Sequence, residues 1–331
     1  MAQELKSFLM KGAVLIVQVT PFTDNDEIDV EGLRENTRFL IEKRKHGPLV
    51  LIPLGSTGEF YALSEKERKK VAEVVVDEAN GKVPVIIGAS AAGTKLAVEY
   101  SKHAEDIGAD GVMIVLPYYH VPEEEGMYQH YKRIAEAINI GVLVYNNPDV
   151  SKVYIRPHLM KKIAEIPNIV GVKENTPSVV TFYKQVKAAG DKIPILQGRG
   201  ELWFIPTVIL GARGFISGFA NFAPELCLDL LKAGLNNDFN TAKQIVENFA
   251  RIDEFASEMS KKYGPSTSFL PDPYLNSYMF MSIFKAAMDI VGLHGGHTRL
   301  PLLHISDELS LIHISEPTRP LYISYAVFCL K

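Results

Sequence analysis

The feature that most constrains the fold of this chain is a regular alternation of short apolar runs and longer amphipathic segments. Eight apolar runs, each four to six residues long, are each followed by a stretch with helical periodicity; they span 14–19, 49–54, 83–88, 111–116, 142–145, 169–173, 193–196 and 214–217. Short runs rich in β-branched residues are typical of buried strands. Strands that alternate with helices form parallel βαβ units, and eight units in about 220 residues match a (β/α)8 barrel.

The rest of the chain is predicted to be helical. After Asn221 the strand pattern stops, and helical patterns cover 223–235, 239–262 and 274–291. We therefore predict an α/β protein with a (β/α)8 TIM barrel over 1–222 and a C-terminal helical extension over 223–308. The main alternative is a doubly wound sheet, but its Gly-x-Gly-x-x-Gly turn after the first strand is missing. Residues 309–331 show neither period and contain two prolines, so we predict a non-native or disordered tail.

Composition excludes several classes of partner. The chain has 331 residues, of which 47% are hydrophobic and 22% are charged, with a formal net charge of −4. It therefore offers no basic surface for nucleic acid or for an acidic membrane. Its two cysteines, Cys227 and Cys329, lie far apart in sequence and do not indicate a disulfide framework. No apolar run approaches the ~20 residues of a membrane span, and we expect a cytoplasmic protein.

The sixth apolar run ends in a lysine with unusual surroundings. Side chains alternate along a strand, which predicts that Ile169, Gly171 and Lys173 share one face, with Val170 and Val172 on the other. An ammonium group buried there is costly, and the usual outcome is a lowered pKa that leaves the amine nucleophilic near neutral pH. Lys173 is therefore a candidate for Schiff-base formation with a carbonyl compound. Taken alone, a lysine that has reached solvent at the end of a strand is the commoner case.

Residues at the other strand ends favour the catalytic interpretation of Lys173, because a barrel carries its active site at the carboxyl ends of its strands. The second run is followed by a turn that contains Ser56 and Thr57, flanked by glycines that let amides and hydroxyls approach an anion such as a carboxylate. The fourth run ends before Tyr119, and the fifth ends in Tyr145, whose phenol can exchange a proton with a substrate bound to a neighbouring lysine. A polar turn and a core aromatic are the structural alternatives at these positions.

These strand-end motifs, in this order and spacing, resemble the dihydrodipicolinate synthase / N-acetylneuraminate lyase family of class I lyases. The resemblance extends over about 12–308. It rests on Thr20-Pro21-Phe22, Gly55-Ser56-Thr57-Gly58-Glu59, Pro117-Tyr118-Tyr119, Tyr145-Asn146-Asn147-Pro148, Gly171-Val172-Lys173-Glu174, and Gly214-Phe215-Ile216-Ser217 with Asn221.

The resemblance implies roles for six residues. Lys173 matches the lysine that forms a Schiff base with pyruvate or another 2-oxo acid, and Tyr145 matches the general acid and base. Ser56 and Thr57 match residues that hold the substrate carboxylate, and Ser56 also matches a residue of the proton relay. Tyr119 matches a tyrosine that is inserted into a neighbouring subunit's site, and Ile216 matches a main-chain contact to pyruvate. Family members are commonly homotetramers built as dimers of dimers. They need no metal, and we expect no cofactor beyond the covalent imine on Lys173.

One departure from the family bears on the substrate. Dihydrodipicolinate synthases usually carry an arginine two residues after the proline of the Tyr-Asn-x-Pro motif, where this chain has Val150. Without a guanidinium, bidentate recognition of a carboxylate on the aldehyde partner is lost there. We therefore predict a lyase, either an aldolase or a dehydratase, that acts on pyruvate or a 2-keto-3-deoxy sugar acid. Asn147 and Asp149 are candidates for meeting sugar hydroxyls, and condensation of pyruvate with aspartate semialdehyde is the alternative.

Three competing hypotheses remain. A metal-dependent aldolase needs His, Asp or Glu at several strand ends, and none of the nine histidines directly follows a predicted strand. A non-catalytic 2-oxo-acid-binding barrel is expected to have lost Lys173 or Tyr145, and both are present. A phosphate-binding barrel favours a glycine-rich turn after the last strands, for which Gly198-Arg199-Gly200 is a weak match.

Overall fold

Eight parallel strands and twelve α-helices alternate in the computed structural model, which describes residues 1–263 and 279–304. The tail predicted over 309–331 lies outside these residues. The strands are β1 Ala13–Val17, β2 Leu49–Ile52, β3 Ile86–Gly88, β4 Gly111–Val115, β5 Gly141–Asn146, β6 Ile169–Glu174, β7 Ile195–Gln197 and β8 Gly214–Ser217.

The helices fall where the amphipathic segments predict them, with two additions. They are α1 Ala2–Lys11, α2 Val30–Glu42, α3 Glu65–Ala79, α4 Thr94–Asp106, α5 Glu124–Glu136, α6 Pro148–Ser151, α7 Pro157–Ile163, α8 Val179–Ala189, α9 Glu201–Val208, α10 Pro224–Leu235, α11 Phe239–Tyr263 and α12 Met279–Ile290. The additions are α1 and the single-turn helix α6, which begins at the proline of the Tyr-Asn-Asn-Pro motif. No helix among the described residues is long and apolar enough to cross a membrane.

The strands form a ring. Neighbours pair in the order β2-β1-β8-β7-β6-β5-β4-β3, and every pairing between strands is parallel. A parallel bridge between Leu51 and Val85 joins β2 to the residues that lead into β3, so the two ends of the sheet meet. This arrangement confirms the predicted (β/α)8 barrel and rules out the doubly wound sheet.

Two hydrophobic clusters divide the core. The inner cluster fills the barrel with side chains such as Leu15, Val50 and Leu143, and the outer cluster lies between the strands and the surrounding helices. Helix α1 closes the amino-terminal end of the barrel, because its buried Leu5 and Leu9 belong to the inner cluster.

The facing predicted for β6 is wrong in the first half of the strand. Val142 pairs with Ile169 but Leu143 pairs with Gly171, so Val170 is an extra residue in the ladder. An extra residue reverses the facing of the residues on one side of it. Val170 accordingly lies in the inner cluster, whereas Ile169 belongs to the outer one. The second half of β6 keeps the predicted facing.

The C-terminal extension is confirmed as helical, and it contacts the carboxyl end of the barrel. The ring of Phe219, just after β8, stacks on Phe249 of α11 at 4.9 Å between centroids and meets Phe284 of α12 at 5.2 Å. A side chain at Gly218 would collide with the Phe284 ring at 2.3 Å. The division of the chain at residue 222 stays a prediction, because these contacts make the extension continuous with the barrel core.

Candidate active site

Lys173 and Tyr145 lie side by side at the ends of two neighbouring strands. The two residues are partners in the β5–β6 register, and the Lys173 Nζ lies 3.7 Å from the centroid of the Tyr145 ring. Both side chains are buried, with exposed fractions of 4% and 6%. Burial lowers the pKa of Lys173 to about 7, because the low-dielectric interior disfavours the ammonium form. A substantial fraction of the Lys173 amine is therefore neutral and nucleophilic near pH 7.

The hydroxyl of Tyr145 is held by an amide. Asn147 Nδ2 donates a hydrogen bond of 2.7 Å to the Tyr145 Oη. Burial raises the pKa of Tyr145, while hydrogen bonds with Ser56 and Asn147 act in the opposite direction. Tyr145 therefore stays protonated at neutral pH and can donate one proton.

The turn after β2 brings Ser56 and Thr57 to the same end of the barrel. The turn closes through Gly58 N to Gly55 O at 3.0 Å, and Thr57 is buried while Ser56 is partly exposed. Gly55 is required by space, since a Cβ there would lie 2.4 Å from the Val17 side chain. Ser56 lowers the pKa of the Tyr145 hydroxyl, so this turn lies at the same end of the barrel as Tyr145 and Lys173.

A buried ion pair anchors the turn from the C-terminal extension. Lys285 of α12 lies 2.7 Å from Glu59, the last residue of the Gly-Ser-Thr-Gly-Glu motif, and both side chains have no exposed surface. The same ammonium donates to the carbonyl of Thr20 at 2.9 Å, and Arg299 N donates to Glu59 Oε2 at 2.9 Å. Sequence reasoning missed Lys285, because it considered only residues that follow strands.

The tyrosine pair after β4 is split. Tyr118 is partly buried and lies edge-on to Phe60, with 6.5 Å between ring centroids. Tyr119 is 74% exposed, and its ring contacts the His120 ring at 4.9 Å between centroids. Lys152, which follows α6, donates a hydrogen bond of 3.3 Å to the Tyr119 carbonyl, so it is directed at this loop.

Val150 and Arg199 lie at the mouth of the site. Val150 packs against the inner cluster at the edge of the site and supplies no charge. Arg199, after β7, lies 2.9 Å from Asp149 Oδ2, and its guanidinium also contacts the Asn175 carbonyl at 3.4 Å. The structure thus assigns Arg199 an intramolecular partner rather than the weak phosphate role considered above. Both charges lie near Tyr145 and affect its pKa.

Ile216 is the third residue of β8. It is buried in the inner cluster and pairs with Leu15 of β1 in the β1–β8 register. Among the residues described, no group of three or more His, Cys, Asp or Glu side chains lies close enough together to bind a metal ion.

The chain matches a known protein family over most of its length. The model of the dihydrodipicolinate synthetase family matches residues 10–312. The 4-hydroxy-tetrahydrodipicolinate synthase of Methanocaldococcus jannaschii is 36% identical over 291 residues, which cover 88% of this chain and 92% of that protein.

Solved structures show the same fold. The crystal structure of dihydrodipicolinate synthase from Aquifex aeolicus superposes with a TM-score of 0.75 at 31% identity, covering 90% of this chain and 94% of that one. The chloride-inhibited enzyme from Acinetobacter baumannii, complexed with pyruvate, gives a TM-score of 0.79 at 27% identity, covering 97% and 100%.

Fold and relatives together define a (β/α)8 enzyme of the lyase class. The chain belongs to the dihydrodipicolinate synthetase family.

Proposed function

We propose that this enzyme forms an imine between Lys173 and a 2-oxo acid, with pyruvate as the first candidate. The observation that carries the proposal is the buried Lys173 amine, 3.7 Å from the centroid of the Tyr145 ring, with a pKa of about 7. The pyruvate complex of the Acinetobacter baumannii relative supports the choice of substrate. In this proposal Ser56 and Thr57 hold the substrate carboxylate, and the main chain at Ile216 contacts the substrate from the opposite side.

The proposed reaction starts with the neutral amine. The Lys173 nitrogen attacks the C2 carbonyl carbon, and one proton moves from that nitrogen to the former carbonyl oxygen to give a carbinolamine. Tyr145 donates its proton to the departing hydroxyl, water leaves, and a protonated imine and the Tyr145 phenolate remain. The phenolate takes a proton from C3 to give an enamine, which attacks an aldehyde whose oxygen takes that proton back, and the reverse sequence cleaves a 2-keto-3-deoxy acid. Water then hydrolyses the product imine, which frees Lys173 and returns a proton to Tyr145.

For the partner we propose a neutral, polyhydroxylated aldehyde, or the corresponding 2-keto-3-deoxy sugar acid. Val150 contributes no charge at the edge of the site, and the nearby guanidinium of Arg199 is already neutralised by Asp149. Neither Val150 nor Arg199 therefore offers an uncompensated positive charge to a second carboxylate. Aspartate semialdehyde is the second candidate partner, because the relatives are named 4-hydroxy-tetrahydrodipicolinate synthases.

Borohydride trapping tests the imine. The enzyme is incubated with pyruvate and reduced, and the adduct is located by peptide mass spectrometry. We expect the adduct on Lys173 and none in Lys173→Ala. Lys285 is an internal control, because it is also a fully buried lysine but its ammonium is paired with Glu59. Absence of an adduct with any 2-oxo acid contradicts the proposal and favours a non-catalytic 2-oxo-acid-binding barrel.

A partner assay with one variant separates the two candidate aldehydes. Wild-type enzyme is assayed with pyruvate plus glyceraldehyde and with pyruvate plus aspartate semialdehyde, and Val150→Arg is assayed alongside. We expect turnover with the hydroxylated aldehyde, and we expect Val150→Arg to shift the ratio toward aspartate semialdehyde by about tenfold or more. Efficient wild-type turnover of aspartate semialdehyde, unchanged in Val150→Arg, contradicts the assignment.

We also propose a homotetramer built as a dimer of dimers. The support comes from apolar residues left exposed on the isolated chain: Tyr119 at 74%, Val180 at 64% and Tyr183 at 44%. Val180 and Tyr183 lie on α8, away from Tyr119, so two separate surfaces are candidates for contact with other copies. A cytoplasmic location remains our expectation from the cysteine content.

A further inference from the structure

The inference concerns Asn147, which occupies the variable position of the Tyr-Asn-x-Pro motif. Its amide nitrogen donates to the Tyr145 hydroxyl at 2.7 Å, and the Asn147 side chain is buried with 4% exposure. An amide NH2 group can only donate, so the phenol oxygen accepts in this contact. The single proton of the phenol must then point elsewhere.

A second amide fixes the orientation of the Asn147 side-chain amide. Asn175 Nδ2 donates to Asn147 Oδ1 at 3.2 Å, which leaves the Nδ2 side of Asn147 facing Tyr145. Asn175 lies just beyond β6, and its backbone N donates to the Asn146 carbonyl at 2.9 Å. The Asn175 carbonyl also accepts a hydrogen bond from Arg199. Asn147 is therefore held by the same strand end that carries Lys173.

From this geometry we propose that Asn147 is a positioning residue that directs the Tyr145 proton toward Ser56 and the reacting oxygen. The proposal rests on the proposed imine chemistry of Lys173 and extends it to a residue that does not touch the substrate. A neutral phenol has only one proton to give, so its direction decides whether proton transfer to the departing hydroxyl is immediate or requires a rotation first. The same amide hydrogen bond also stabilises the phenolate that remains after transfer.

The consequence is kinetic. A residue that only aligns the proton donor changes the rate at which the imine forms and leaves its final yield unchanged. Asn147 differs in this respect from Ser56 and Thr57, which we place at the substrate carboxylate and whose loss is expected to weaken substrate binding. Damage to the fold, in contrast, lowers both the yield of imine and the melting temperature.

A double-mutant cycle tests the proposal. The time course of pyruvate imine formation is measured by rapid quenching with borohydride in wild type, Asn147→Val, Tyr145→Phe and the double variant. We expect Asn147→Val to slow imine formation by about tenfold or more with an unchanged end-point, and to have no further effect once the phenol is absent. If Asn147→Val slows imine formation equally in the wild-type protein and in the Tyr145→Phe variant, the proposal is overturned, because Asn147 then acts independently of the hydroxyl.

Asn147→Asp provides the second variant. Aspartate has nearly the same shape but offers oxygens where the amide offers a donor, so it competes for the Tyr145 proton. We expect imine formation at least as slow as in Asn147→Val, whereas a purely packing role predicts a milder effect for the closer isostere. If wild type forms no adduct, the proposed function itself fails. If wild type forms the adduct and both variants match its rate, only the role of Asn147 is overturned.

Discussion

Two lysines are buried in this protein, and their surroundings give them different chemistry. Burial lowers the pKa of Lys173 to about 7. Burial also lowers the pKa of Lys285, but the Glu59 carboxylate at 2.7 Å acts to raise it. A neutral amine is a nucleophile, whereas a charged one paired with a carboxylate is an anchor. The local partner, rather than burial alone, therefore separates the candidate catalytic lysine from the structural one.

The pKa of Lys173 predicts how imine formation depends on pH. Only the unprotonated amine attacks the carbonyl, so the rate is expected to rise about tenfold per pH unit below pH 7 and to level off above it. The initial rate of borohydride-trapped adduct with pyruvate, measured from about pH 5.5 to about pH 9, checks this. A rate that is already constant at the acid end, or that still climbs steeply at the alkaline end, contradicts the lowered pKa.

The Glu59–Lys285 pair predicts a large and specific loss of stability. Lys285→Met leaves the Glu59 carboxylate buried without a counter-charge, which is expected to cost about 3–5 kcal/mol in free energy of unfolding. The double variant Glu59→Gln/Lys285→Met is expected to recover part of that loss, because no unpaired charge remains. Urea denaturation measures both. Lys69→Met is the control, since the Lys69–Glu65 pair is exposed and little change is expected. Equal losses in the free energy of unfolding for Lys285→Met and Lys69→Met would refute the argument.

At the scale of elements, the contact between β3 and the residues after β2 sets the position of the turn that contains Ser56 and Thr57. Gly88 ends β3, and a Cβ at this residue would lie 1.9 Å from the Leu54 carbonyl oxygen. Leu54 itself has a positive φ of 62°, which is rare for a residue with a side chain. The backbone just before Ser56 and Thr57 is thus pressed directly against β3. The extra residue Val170 in β6 is a similar local adjustment, since it sets which residues of that strand face the barrel interior.

Gly88→Ala is therefore predicted to impair both stability and substrate binding. The added methyl group must push the Leu54 backbone away, at an expected cost of at least about 2 kcal/mol in free energy of unfolding, and the displaced turn is expected to raise the KM for pyruvate. Gly126→Ala is the control, because Gly126 is exposed in α5 and a Cβ there meets only Pro122 at 3.5 Å. Its expected effect has the opposite sign, a gain of about 0.5 kcal/mol. Calorimetry measures the stability of both variants, and steady-state kinetics measure their KM for pyruvate. A Gly88→Ala variant with unchanged stability and unchanged KM refutes the close-contact argument.

At the scale of the whole molecule, each end of the barrel is covered by a different part of the chain. Helix α1 closes the amino-terminal end through Leu5 and Leu9. The carboxyl end is contacted by α12, which brings Lys285 to Glu59 in the turn after β2. Tyr119, in contrast, lies in the loop after β4 and is exposed in the isolated chain. In the proposed assembly, a second copy of the chain covers this side chain.

Mixed oligomers test whether sites are shared between copies. Lys173→Ala and Tyr119→Ala proteins are each expected to have little activity. After they are unfolded together and refolded, half of the dimers are mixed, and one site in each mixed dimer has both residues. We expect recovery of about a quarter of wild-type activity. Size-exclusion chromatography with light scattering confirms the oligomeric state. No recovery in verified mixed oligomers contradicts an exchange of Tyr119 between copies.

The positions of individual residues in the barrel could be predicted to different degrees, for physical reasons. Lys173 and Tyr145 each end an apolar run, so strand periodicity alone placed them at one end of the barrel, and sequential order made their strands neighbours. The contact between Asn147 and Tyr145 could not be predicted, because the chain bends into α6 directly after Asn147 and this bend brings its amide to the Tyr145 hydroxyl. Lys285 was missed, because its importance comes from a contact with Glu59, more than 200 residues away in sequence.

The amino-acid sequence by itself determined the barrel, the helical extension and the order of the strand-end motifs, because hydrophobic period and turn residues act locally along the chain. The tertiary structure alone decided which groups surround the Lys173 amine, which amide donates to the Tyr145 hydroxyl, and which cation neutralises Asp149. These properties depend on distances between residues far apart in the chain and on burial. A pKa or a hydrogen-bond direction is set by that three-dimensional environment, which no local pattern encodes.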